Sequence, residues 1–140
     1  MTRTAALADF VGDWRLTRRI DDARTGQVAL AEGLARFVPS ATGLIYDETL
    51  RLKLPGQAPM TATRRYLWQA DGDGIAVLFD DGRPFHRIAL GEEAWEDTHW
   101  CAPDNYRGSY DFGDWPRWIS RWAVTGPRKE YFMVTTYDRP

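Results

Sequence analysis

Leu44-Ile45-Tyr46-Asp47-Glu48-Thr49-Leu50-Arg51-Leu52-Lys53 is the stretch that decides the fold. Leu44, Tyr46, Glu48, Leu50 and Leu52 share one parity, and Asp47, Thr49, Arg51 and Lys53 share the other. Side chains two apart line the same face of a strand. The stretch therefore reads as a single strand with one face toward a core and a charged face toward water, whereas a helix would scatter both sets around its axis. The same period recurs along the chain. Trp14, Leu16, Arg18 and Ile20 oppose Arg15, Thr17 and Arg19; Arg64, Tyr66 and Trp68 oppose Arg65, Leu67 and Gln69. Ile75, Val77 and Phe79 share a face, as do Tyr131, Met133, Thr135, Tyr137 and Arg139.

Turn signals separate these runs at regular intervals: Asp21-Asp22 with Gly26, Pro55-Gly56, Asp71-Gly72-Asp73-Gly74, Asp80-Asp81-Gly82, Pro103-Asp104-Asn105 and Gly126-Pro127. Gly supplies positive φ, Pro presets φ, and Asp and Asn bond their own backbone. Strands are expected over residues 12–20, 28–38, 43–54, 60–70, 75–79, 84–90, 95–101, 106–112, 118–125 and 130–139. Short strands at even spacing with short connections indicate an all-β protein, a single antiparallel meander β-barrel of about ten strands. Closure removes the exposed edges a long meander would leave. One short N-terminal helix is expected from Thr4 to Phe10, with Thr4 as its N-cap. Trp115, Trp118 and Trp122 have helical spacing, but Pro116 and the alternation that follows favour a loop and then a strand. Residues 1–140 read as a single β-barrel domain, a length that buries a core without disulfide staples.

Composition narrows the function. Aromatic residues make up 14% of the chain, including seven Trp and six Tyr, which suits a lined cavity as well as a plain core. The net charge is −2 and the basic pairs are scattered, so nucleic-acid partners are not expected. No apolar stretch is long enough to span a bilayer. No leader-like segment is visible, and the one cysteine, Cys101, has no internal partner; both lead us to expect a cytoplasmic protein. A homodimer through a barrel face is left open.

The inward faces are not uniformly apolar. Arg18, Glu48 and Arg64 ride on apolar stripes, where an unpaired charge is costly, so they must pair, reach water or meet a ligand. Tyr46, Glu48, Arg64 and Tyr66 fall on adjacent strands with matching parity. An Arg can clamp a carboxylate, a Glu can move a proton and a Tyr can donate to developing charge. A second set lies between Asp80 and Tyr110, where both histidines and Cys101 occur. A two-residue turn at Glu92-Glu93 would set Leu90 opposite Trp95, Ile88 opposite Asp97 and His86 opposite His99, with Cys101 on the same face as His99. His86, His99 and Cys101 are a metal-capable set, but their spacing matches no compact zinc motif, and no metal or other cofactor is assigned.

Phe10-Val11-Gly12-Asp13-Trp14 opens the first strand with a G-x-W pattern that resembles the opening of the calycin barrels: lipocalins, fatty-acid-binding proteins and nitrobindin-like proteins. The resemblance implies that Trp14 plugs one barrel end and that a basic residue of a late strand packs across it, Arg139 first and Arg128 second. The haem function of nitrobindin-like proteins is not carried over, because no His follows His99. The chain also resembles an uncharacterised family of bacterial and fungal proteins, through Trp14 to Ile20, Tyr66-Leu67-Trp68, Asp81 to His86, His99 to Tyr106 and Gly126 to Lys129. That resemblance implies a fold and no established activity.

The leading expectation is a barrel that binds a small, partly apolar molecule with an acidic or polar head. Arg18, Glu48, Arg64, Tyr66, His86, His99, Cys101, Tyr106 and Tyr137 are its candidate ligand contacts. Two alternatives stay open. One is a small-molecule lyase or isomerase using Glu48, His86 or His99 for acid–base work. The other is a protein-interaction module docking through the Trp-rich segment 115–122.

Overall fold

A computed structural model describes residues 6–90 and 94–140. Ten antiparallel strands follow the chain: β1 (Gly12–Asp22), β2 (Val28–Pro39), β3 (Leu44–Lys53), β4 (Met60–Asp71), β5 (Gly74–Phe79), β6 (Pro84–Ala89), β7 (Ala94–Cys101), β8 (Asp104–Asp111), β9 (Trp118–Thr125) and β10 (Glu130–Asp138). They form one sheet in the order β6-β5-β4-β3-β2-β1-β10-β9-β8-β7. Every ladder joins sequence neighbours except β1 with β10, which pair from Arg15 with Asp138 to Asp22 with Tyr131. The all-β meander expected from the alternation is the fold observed.

The barrel is nearly closed. β6 and β7 are the two outer strands of the sheet, and among the described residues no ladder pairs them. The Arg87 backbone N–H crosses the gap to the Asp97 carboxylate at 2.9 Å. This corrects the expected hairpin: His86 is not laddered opposite His99, nor Ile88 opposite Asp97. The turn at Glu92-Glu93 lies outside the described residues.

The N-terminal helix is also corrected. It is a single 3-10 turn over Leu7–Phe10, and its proposed cap, Thr4, lies outside the described residues.

Phe10 closes one end of the barrel. Its ring meets Trp115, Trp68 and Trp118 at centroid distances of 5.0, 5.2 and 5.4 Å. Trp14 is wholly buried beside it and donates its indole N–H to the Phe10 carbonyl at 2.9 Å. The Arg139 guanidinium lies 3.7 Å from the centre of the Trp14 ring and donates to the carbonyls of Asp9, Val11 and Asp13. One cation thus covers the indole face and satisfies three backbone acceptors near the start of β1.

Burial falls away from this end along each inward face. Trp68 is buried, Tyr66 half-buried and Arg64 exposed on β4; Leu16 is buried while Arg18 and Ile20 are partly open on β1. Thr135 and Tyr137 are buried while Met133 and Tyr131 are partly open on β10. Within each inward face, set by period-two alternation, the order of large apolar and polar side chains along the strand separates the plugged end from the open end.

Candidate functional site

Between the aromatic plug and the open end lies a cavity of about 490 Å³. Ligand sites in proteins run from roughly 300 to 1,000 Å³, so the space is of molecular size.

Its central polar feature is an ion pair. Arg18 meets Glu48 through two N–H···O bonds of 2.9 and 3.0 Å, and its Nε–H donates to the Thr135 hydroxyl at 2.8 Å. The Glu48 side chain is only 3% exposed and that of Arg18 13%. Burial works against the Arg18 charge, but the Glu48 carboxylate outweighs it and raises the guanidinium pKa. The Tyr46 hydroxyl donates to Glu48 at 2.6 Å. With its proton committed there, Tyr46 accepts from the Tyr137 hydroxyl at 2.8 Å. Burial lifts the phenol of Tyr137 to about 12 and that of Tyr46 well above its ordinary value, so both stay neutral. The cavity floor is a satisfied network with no net charge.

Sequence parity set Glu48 beside Arg64, and the two are indeed cross-strand partners on β3 and β4. The ion pair nevertheless forms with Arg18, across β2. The reason is the inward face of β2, which carries Ala29, Ala31, Gly33, Ala35 and Phe37. Three alanines and a glycine leave a trough over which the Arg18 side chain reaches from β1 to β3. At Gly33 even a Cβ would strike the Thr49 backbone carbonyl, so β2 and β3 approach as only glycine permits.

The opposite wall is aromatic. The register between β5 and β6 shifts between Val77 and Leu78, which pair with His86 and Pro84. Phe85 is the extra residue of this bulge, and Phe85 and His86, though adjacent in sequence, both line the cavity. The Trp122 ring stacks on Phe85 at 5.2 Å and seats over Gly108, where a Cβ would collide with it. His86 Nε2 lies 3.0 Å from the Tyr110 hydroxyl, and its buried Nδ1 has no partner. Burial, and secondarily the nearby His99, hold the His86 pKa down to about 3. At neutral pH the ring is uncharged. A proton on Nε2, donated to Tyr110, leaves only a lone pair unmatched at Nδ1.

Of the expected contacts, Arg18, Glu48, Arg64, Tyr66, His86, Cys101, Tyr106 and Tyr137 line the cavity. His99 does not; it is half-buried, and Phe85 presents its ring at centroid distances of 4.5 Å to His86 and 5.3 Å to His99. Cys101 is exposed at the rim. Among the described residues, no group of three or more His, Cys, Asp and Glu side chains is placed to hold a metal ion. Phe85, Tyr110, Trp122, Thr135 and Tyr131 also line or frame the site without having been singled out. Parity alone would have flagged Tyr131 and Thr135, which share a face with Tyr137. In the segment 115–122, Trp118 and Trp122 are buried, and half-buried Trp115 packs on Phe10 and Trp14.

The sequence model of a family of unknown function, DUF6314, matches residues 10–139. The chain belongs to that family. No curated protein matches this sequence. Among solved structures, the S-type phycobiliprotein lyase CPES from Guillardia theta is similar over 96% of this chain and 90% of its own, with a TM-score of 0.65 and 9% identity. At that identity the likeness extends to the fold, and a DUF6314 chain thus shares its barrel architecture with a lyase. No helix among the described residues is long and apolar enough to cross a membrane.

Proposed function

We propose that this DUF6314 barrel binds a small, partly apolar molecule with an acidic or polar head. The observation that carries the reading is the cavity of about 490 Å³ that remains in spite of seven Trp, six Tyr and six Phe in 140 residues. An aromatic interior with that many large side chains could have filled itself. Here Phe10 and its neighbours plug one end, while the trough along β2 and the bulge at Phe85 keep the middle open. The wall pairs broad apolar rings with a few hydrogen-bonding groups, the usual make-up of a small-molecule site. The resemblance to calycin barrels and the barrel shared with a phycobiliprotein lyase support the same reading.

The acid–base alternative has less support. Glu48 is buried against the cavity rather than turned to bulk solvent, as that reading requires. Yet both its oxygens are held by Arg18, and one also by Tyr46, which is the arrangement of a structural network.

The test uses N-phenyl-1-naphthylamine, a neutral aromatic probe whose emission rises in apolar surroundings. The folded chain is expected to bind one equivalent and to quench tryptophan emission. Leu50→Trp, which adds bulk at the cavity wall and leaves the trough under Arg18 intact, is expected to abolish binding while circular dichroism stays native. Binding unchanged in a folded Leu50→Trp variant would sink the proposal.

A further inference from the structure

Two guanidinium groups line the cavity, and they are not equivalent. Arg18 is neutralised deep inside by the bidentate contact with Glu48. Arg64 sits at the open end, two residues along β4 from half-buried Tyr66 and four from buried Trp68. It lines the same cavity, yet no ion pair or hydrogen bond engages it among the described residues. Its charge is felt by the phenols of Tyr66 and Tyr131 on opposite sides of the mouth. Asp22 lines the same cavity. Asp22 accepts the backbone N–H groups of Arg24 and Thr25, and Lys129 is paired with Asp104 at 3.2 Å.

We infer that the ligand is an organic monoanion that enters apolar end first, leaving its carboxylate or sulfonate at the mouth on Arg64 with Tyr66 and Tyr131 beside it. This rests on the cavity-binding reading and adds the orientation and the charge of the ligand. The floor disfavours the opposite orientation. There an incoming anion would meet Glu48, the neutral His86 and neutral phenols, with Arg18 already compensated. An anion buried without a counter-charge is strongly disfavoured, whereas at the mouth it keeps part of its hydration and gains a planar guanidinium. The apolar body then lies where Phe85, Trp122 and Leu50 offer contact.

The experiment compares two probes sharing one anilinonaphthalene body: 1-anilinonaphthalene-8-sulfonate, an anion, and neutral N-phenyl-1-naphthylamine. Arg64→Met keeps the reach of the side chain and removes its charge. The anionic probe is expected to bind the variant about five- to tenfold more weakly, the size of one charge-assisted contact at a partly hydrated site. The neutral probe should change less than about twofold. Arg64→Lys should recover part of the loss, and added salt should erode the difference between wild type and Arg64→Met. Unchanged anion affinity with neutral binding retained would overturn the inference and leave the cavity reading standing. A parallel loss of both probes would overturn it too, by showing that Arg64 acts through the wall. If the unmodified chain bound neither probe, both readings would fall together.

Discussion

Replacing Arg18 by Met isolates the energetics of the cavity floor. The substitution keeps most of the apolar stem and removes the two N–H donors to Glu48 and the one to Thr135. Glu48 is then left at 3% exposure with Tyr46 as its remaining donor. Removing one partner of a buried ion pair costs about 3–5 kcal/mol, because the surviving charge is desolvated without compensation. For a chain of 140 residues that corresponds to a fall in Tm of about 10–20 °C. The second half of the prediction is more discriminating. Arg18→Met combined with Glu48→Leu removes both charges together, and such replacements are neutral or stabilising in other proteins. The double variant is expected within about 1 kcal/mol of the native chain. Urea denaturation of the four members of the cycle, followed by tryptophan fluorescence, measures each term. A single variant that loses less than about 1 kcal/mol would refute the reasoning, as would a double variant whose loss equals the sum of the two single losses.

The neutral imidazole of His86 makes the fold acid-sensitive. Its pKa is about 3 when folded and ordinary when unfolded, so the unfolded chain takes up the proton first and stability falls as pH drops from about 6.5 toward 3. The slope attributable to His86 is about 1.4 kcal/mol per pH unit, read as the difference between the native chain and His86→Gln in denaturation at pH 7 and pH 5. NMR of the His86 ring protons should show no titration between about pH 7.5 and 5. Gly108→Ala places a Cβ against the Trp122 ring and is expected to cost about 1–3 kcal/mol and to weaken neutral-probe binding, because the ring is driven toward the cavity. Arg139→Ala uncovers Trp14 and strands three carbonyls; a loss of about 1–2 kcal/mol is expected, with faster hydrogen exchange at Phe10 to Asp13 than elsewhere.

How much of this was readable beforehand depended on the range of the information. Strand positions and inward faces were legible because alternation is local. Leu44 to Leu52 carries its own facing, and each strand behaves the same way. The cavity lining followed from those faces, so most of the expected contacts converge. What failed were matters of distance between faces. The partner of Glu48 depended on a row of small residues on an intervening strand, which matters only once β1, β2 and β3 curve around a common axis. The two histidines were aligned by assuming a regular hairpin. No ladder joins β6 to β7 among the described residues, so nothing holds that alignment, and the bulge that turns Phe85 inward lies just beyond the regularly paired stretch from His86 to Ala89. Nothing local in Phe85-His86 announces it.

The gap between β6 and β7 has a consequence for connectivity. A meander that closes on itself must contain one ladder joining distant parts of the chain, and here it is β1 with β10. The start of β1 and the end of β10 lie side by side at the plugged end, where Arg15 faces Asp138. A circularly permuted chain, linked there and opened between β6 and β7, would run β7-β8-β9-β10-β1-β2-β3-β4-β5-β6. Every ladder in it would then join neighbours in sequence, and no long loop would have to close before pairing begins. Low contact order speeds folding. The permuted barrel should therefore reach the same cavity by a faster route.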